Sequence, residues 1–180
     1  MIVRQLKIFL AVVALAPLML ANFASAHGPT RQKVTKTVVI NAPLADVWAV
    51  VANFQDMTWH PEITKTEGSG DNAVGAKRVL TFKSGGSLPQ ELTRLKDSKM
   101  LFYETSAPDV KVMPVNNYSA RMTVADQDGK TLVTWRAAFY RGYMNNDPPP
   151  ELNDEAAVNA VTVFIEAGLA GLKAKIEGQS

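Results

Sequence analysis

Residues 34–54 read VTKTVVINAPLADVWAVVANF, and the hydrophobic period changes once inside that stretch. Val34 to Ile40 is rich in β-branched residues, which suit a pleated strand. After Asn41 and Ala42, Pro43 stands where a first helical residue tolerates proline, and Leu44, Val47, Trp48 and Val51 then recur at three and four residues. The spacing predicts a strand over 34–40 followed by a short amphipathic helix ending near Asn53.

Downstream, turn residues divide the chain into short extended pieces. Gly68 to Gly75, Gly85-Gly86, Lys96-Asp97, Pro108-Asp109 and Asp126 to Gly129 bound segments 77–82, 90–95, 100–105, 118–124 and 131–140, each of strand length. Sequence neighbours of this kind pair antiparallel. Beyond Pro148-Pro149-Pro150 the period returns to that of a helix. Asn153 can cap it, Asp154 and Glu155 occupy the first turn, Lys173 and Lys175 the last turns, and Gly178 closes it. Val158, Val161, Ile165, Leu169, Leu172 and Ile176 form one apolar stripe. The order implies an α+β class: a curved antiparallel sheet wrapped around a long C-terminal helix, with a short helix or helix pair after the first strand. One stripe of side chains does not fill such a sheet, so a cavity between helix and sheet is expected. Gly168 and Gly171 either thin the helix where sheet or ligand approaches, or mark fraying of its last turns.

The chain has 180 residues, 47% hydrophobic and 20% charged, which suffices for one self-standing core and leaves no length for two large domains. It has no cysteine, which excludes disulfides, thiolate metal sites, thiol nucleophiles and a lipid-anchored amino-terminal Cys. Residues 1–26 have the form of a secretory signal: Arg4 and Lys7, an apolar run from Ile8 to Leu20, then Ala24-Ser25-Ala26. As a helix that run spans only about 20 Å, short of a bilayer's hydrocarbon core. Cleavage after Ala26 is therefore expected, with no stable membrane insertion afterwards, an extended lead-in over 27–33 and a single domain over 34–177. Loss of Arg4 and Lys7 takes 19 basic side chains to 17, equal to the 17 acidic ones. Nothing then favours nucleic acid, whose binding draws on neutralised phosphates. Export without cysteine fits a bacterial periplasm.

Val38 to Phe54, Trp59-His60-Pro61 and the amphipathic C-terminal helix resemble the Bet v 1-like, START-related superfamily, also described as polyketide cyclase/dehydrase and lipid transport (SRPBCC), over residues 34–177. Within it, His27-Gly28-Pro29-Thr30, Trp59-His60-Pro61, Lys83-Ser84-Gly85-Gly86, Tyr140-Arg141-Gly142 and Leu152 to Val158 are similar to the MxaD-type periplasmic accessory proteins of bacterial methanol oxidation. The resemblance implies a helix-grip fold. It also implies a non-catalytic helper, with no cofactor of its own, that promotes electron transfer between a pyrroloquinoline-quinone-dependent methanol dehydrogenase and its cytochrome c.

Trp59-His60-Pro61 reads in two ways. It can rim the mouth of the cavity, or Trp59 can fill core between helix and sheet while His60 bonds to backbone. No Ser, Thr or carboxylate at catalytic spacing supports a reactive His60, and no catalytic residue is assigned. A pocket for a small hydrophobic ligand would use Trp59, His60, Leu80, Phe82, Tyr103, Tyr118, Met122, Arg136, Tyr140, Val161 and Ile165. In the hairpin 118–140 the even-numbered face is expected inward, which would give Arg136 a buried charge needing a partner or an anionic ligand. The competing phase puts Val133, Trp135 and Phe139 in the core and Arg136 in solvent. Asp147, Glu151, Asp154 and Glu155 form an acidic cluster that serves helix capping or docks a basic partner surface. Residues 70–77 lack the Gly-Lys-Ser/Thr of a phosphate loop and open a strand. His27, once its amine is freed, has the bite of a Cu(II) chelate but no further placed ligand, so no metal site is assigned. Three functions follow in order of preference: an exported interaction protein between dehydrogenase and cytochrome, a carrier of a small hydrophobic ligand, and a cyclase-like enzyme.

Overall fold

The computed structural model describes residues 28–178; the expected signal segment and His27 lie outside the described residues. Seven strands form one antiparallel sheet in the order β1-β7-β6-β5-β4-β3-β2. They are β1 (Gln32–Ile40), β2 (Ile63–Ser69), β3 (Lys77–Phe82), β4 (Ser87–Lys96), β5 (Met100–Thr105), β6 (Val115–Gln127) and β7 (Lys130–Arg141). A short helix, α1 (Leu44–Val51), follows β1, and a 24-residue helix, α2 (Asp154–Glu177), ends the fold after a 3-10 turn at Pro150–Leu152. This is the helix-grip arrangement: β2 to β7 meander, and β1 returns to pair with β7 along Val34↔Ala137 and Ile40↔Thr131.

The sheet bends where strands carry an extra residue, at Ile63/Lys65, Leu92/Arg94 and Asn116/Ser119. At the last of these Asn117 takes a positive φ of 48°. Strand β2 was not among the predicted strands. Its sequence ITKTEGS buries only Ile63, as an edge strand with a single neighbour can afford to do.

The even-face expectation for the last hairpin holds on β6 and fails on β7. Asp128 and Gly129 both have positive φ, 54° and 79°, and form a two-residue turn between the paired Gln127 and Lys130. A two-residue turn sets even numbers opposite odd ones, so Met122 faces Trp135 and Val124 faces Val133. Tyr118, Met122 and Val124 therefore share the inner face with Val133, Trp135 and Phe139, while Arg136 lies exposed on the outer face and Tyr140 half-buried there.

Helix α2 starts where Asn153 Oδ1 accepts the Ala156 N–H at 2.8 Å. Its buried face is Ala157, Val161, Phe164, Ile165, Gly168, Leu169, Leu172 and Ile176, broader than the single stripe read from sequence. Lys36 pairs with Glu166 at 2.6 Å, and Lys173 donates to the Val39 carbonyl at 2.7 Å, tying the helix to β1. The two glycines mark close approach, not fraying. A Cβ on Gly171 would stand 2.3 Å from the Trp59 carbonyl oxygen. One on Gly168 would stand 2.6 Å from both His60 Cδ2 and Trp135 Cζ3.

Gly168→Ala should therefore destabilise the protein by about 1–3 kcal/mol through overpacking, although alanine is favoured over glycine in a helix by about 1 kcal/mol. Urea unfolding measures it. A variant more stable than the parent would show that the two rings do not press on this position.

Candidate functional site

Besides Arg141 at the end of β7, which pairs with Asp154, the inner face of the sheet carries a buried charge at its centre. Arg78 on β3 is 5% exposed and sits directly opposite Gln90 on β4. Its Nε and Nη2 both donate to Gln90 Oε1, at 2.9 and 2.8 Å, and its Nη1 donates to the Phe54 carbonyl at 3.1 Å. The guanidinium lies 4.1 Å from the Phe54 ring centroid and 5.0 Å from that of Tyr103. Among the described residues it forms no ion pair, and neutral oxygens and aromatic faces hold the charge. Burial pushes its pKa down to about 10, which still leaves it charged at neutral pH.

Beside it stand four buried polar atoms without a hydrogen-bond partner: Tyr103 Oη, Thr105 Oγ1, Tyr118 Oη and Trp135 Nε1. Burial raises both tyrosine pKa values, so both phenols keep their protons and present O–H donors. The two hydroxyls, the indole N–H and the guanidinium act on one another electrostatically, yet none of the two hydroxyls and the indole N–H meets hydrogen-bond geometry. Of these residues Thr105 and Tyr118 border a space that is nearly filled. A residual cavity of about 10 Å³, lined among others by Gln90, Thr105, Met113, Tyr118 and Phe164, is at the lower limit for one water molecule.

Phe164 of α2 is the closure. It stacks on His60 with ring centroids 4.1 Å apart, meets Trp135 edge-on at 5.8 Å and lies 5.8 Å from Phe82. His60 is fully buried. Its Nδ1 accepts the Glu62 N–H at 3.1 Å, which places the proton on Nε2, and Nε2 donates to the Phe164 carbonyl at 2.9 Å. Both ring nitrogens are thus spent on backbone, and no nucleophile stands beside them. Trp59, 6.0 Å from Trp135, fills the adjoining core. Trp59 and His60 therefore take the core alternative and do not rim a mouth.

Leu80, Phe82, Tyr103, Tyr118, Met122, Val161 and Ile165 all reach the interior as expected, where they mostly pack on one another. Arg136 and Tyr140 are corrected to the outer face by the turn described above. Of the acidic cluster, Asp154 is engaged by Arg141 at 3.1 Å and by Gln32 at 3.3 Å, so it serves the helix start; Asp147, Glu151 and Glu155 are exposed and, among the described residues, make no ion pair. Sequence reading missed Arg78, Gln90 and Phe164. The alternation Arg78, Leu80, Phe82 was the signal for the first. Among the described residues no group of three His, Asp or Glu is arranged to hold a metal ion.

The family model described as polyketide cyclase / dehydrase and lipid transport matches residues 31–177. No curated protein matches the chain significantly. Among solved structures, a Thermobifida fusca protein is similar at 28% identity and TM-score 0.58, covering 81% of this chain and 95% of its own. The protein XoxI from Bacillus cereus is similar at 22% identity and TM-score 0.66, covering 81% and 95%. Norcoclaurine synthase from Thalictrum flavum, in complex with dopamine and hydroxybenzaldehyde, is similar at 13% identity and TM-score 0.64, covering 84% and 90%.

Burial lowers the His60 pKa from 6.5 to about 4. Between those values the unfolded chain binds a proton that the folded protein refuses, so stability is full above pH 6.5 and falls as pH drops toward 4. The loss attributable to this residue should approach about 3 kcal/mol. Denaturant unfolding from pH 7.5 to 4 in the parent and in His60→Asn measures it; equal pH slopes in the two would remove His60 as the cause.

Proposed function

We propose, for a chain that belongs to the polyketide cyclase / dehydrase and lipid transport family, a non-catalytic docking role: an exported accessory protein that promotes electron transfer between a pyrroloquinoline-quinone-dependent methanol dehydrogenase and its cytochrome c. The observation that supports it best is the interior. A residual cavity of about 10 Å³ leaves little room for a substrate and His60 is bonded through both nitrogens, which supports the surface as the working part. The similarity of Trp59-His60-Pro61, Lys83 to Gly86 and Leu152 to Val158 to the MxaD-type accessory proteins supports this choice of partners. The exposed Asp147, Glu151 and Glu155 suit a basic patch on one of them.

Mixing such a dehydrogenase with its cytochrome tests this reading. Added protein should raise the rate of cytochrome reduction at low ionic strength, and salt should abolish the gain. An unchanged rate at low salt discards it.

A second reading, a binder of a small hydrophobic ligand with one hydrogen-bonding end, is favoured by the unpartnered Tyr103, Tyr118 and Trp135 donors, which lack what buried polar groups ordinarily have. Norcoclaurine synthase holds two aromatic ligands on a similar fold. Phe164→Ala, which removes the closing ring, should then admit anilinonaphthalene sulfonate with a rise in fluorescence over the parent. A variant as dark as the folded parent would count against any interior site.

A further inference from the structure

The outer face of the sheet carries charges that the interior does not use. Strand register sets Arg94 on β4, Phe102 on β5, Arg121 on β6, Arg136 on β7 and Thr35 on β1 side by side at one level. Arg121 and Arg136 are direct cross-strand partners, an arrangement that like charge makes unfavourable within the sheet. Among the described residues neither they nor Arg94 forms an ion pair, and all three are exposed. Arg31 reaches the same area: its Nη2 donates to Ser119 Oγ at 2.9 Å and its guanidinium lies 5.5 Å from the Tyr140 ring centroid. The Arg94 guanidinium lies 5.1 Å from the Phe102 ring centroid. Small residues at the next level, Ser119 opposite Ala138, leave a hollow of about 280 Å³ bounded by these four arginines and floored by Met100 and Phe102. Glu104, opposite Ser119, and Glu91, opposite Glu104, are the acids nearest in register; Glu104 lines a smaller hollow with Arg31, Glu91 lies 3.9 Å from Lys77, and among the described residues Glu104 forms no ion pair.

We infer that this arginine-lined face is a docking surface for an acidic protein patch, a set of side-chain carboxylates on a folded partner. A guanidinium presents its donors as a fork that a carboxylate matches with two bonds. From Arg94 to Arg136 the row crosses three strand spacings, roughly 14 Å, so several carboxylates are needed to meet it and one small anion touches only part of it. A lipid surface is disfavoured by the same face. The exposed large apolar residues are Val39, Val74, Val79, Met144 and Val163, and none stands in this row to insert. The proposal rests on the docking role given above and adds the polarity of one partner. Four arginines that outnumber the neighbouring Glu104 and Glu91 retain a local positive field where the chain from His27 onward carries balanced charge, which steers an acidic partner at low salt.

The probe is a fluorescein-labelled oligo-aspartate peptide, read by anisotropy with the purified protein. It should bind at low salt and weaken by about tenfold or more at physiological salt. The double variant Arg121→Gln/Arg136→Gln should weaken binding by about tenfold or more, with a melting temperature equal to or above the parent's because the opposed charges are gone. Lys65→Gln, a distant exposed change on β2, should leave binding within about twofold. Unchanged binding by the double variant overturns the proposal, as does an equal loss from Lys65→Gln. Displacement of the peptide by inorganic phosphate at matching concentration would make this a small-anion site, and tighter binding to phosphatidylglycerol vesicles than to the peptide would make it a membrane face; either overturns it. If the peptide behaves as expected while cytochrome reduction ignores the protein, the acidic-partner surface stands and the electron-transfer role falls. If cytochrome reduction responds equally to parent and double variant, that role stands and this surface falls.

Discussion

One clasp governs the interior: His60 donates through Nε2 to the Phe164 carbonyl while its ring lies flat on the Phe164 ring. The bond fixes the loop after α1 to the middle of α2, and the stacking fixes where Phe164 points. Gly168 and Gly171 make the clasp feasible, since any side chain there would occupy the space of the imidazole, of Trp135 or of the Trp59 backbone. With Phe164 so held, the concave sheet is sealed. A single buried imidazole thus decides that the expected hollow is nearly full in this state.

Behind the seal, polarity is unevenly satisfied. Arg78 is well supplied by Gln90, the Phe54 carbonyl and two aromatic faces, whereas Tyr103, Tyr118 and Trp135 act on one another without reaching hydrogen-bond geometry. Orphaned donors next to a fixed cation weaken the core by comparison with an apolar one of the same shape. The outer face repeats the theme with opposite exposure: Arg121 and Arg136 stand opposed in solvent, where hydration and salt relieve them until a counter-charge arrives.

What was legible in the sequence is what periodicity writes directly. The change of period at Asn41 to Leu44 and the stripe from Val158 to Ile176 locate both helices, and turn residues locate five of the seven strands after the first is counted separately from the polar β2. Phase was not legible across the last hairpin, because Asp126 to Gly129 signals a turn without saying how many residues lie outside the ladder, and one residue decides which face Arg136 takes. Strand β2 was silent because an edge strand with one buried residue carries no alternation to read. The filled cavity was illegible for a different reason. It depends on how the volumes of Trp135, Phe164 and His60 interlock, and no one-dimensional pattern records volume shared among residues so far apart in the chain.

The pairing of β1 with β7 reaches further than architecture. Val34 finds Ala137 only after the chain between them has been laid down, and α2 then covers a seam whose two strands lie near opposite ends of the described chain. Contacts of such long sequence separation make for slow folding, since the entropy of closing the loop is lost before the pairing returns it. Until β7 exists, the first strand has no neighbour, and the nascent polypeptide stays open along that edge. A shortened product ending before residue 130 would accordingly collapse without ever acquiring its seam, and would present β6 as an adhesive border to its own copies.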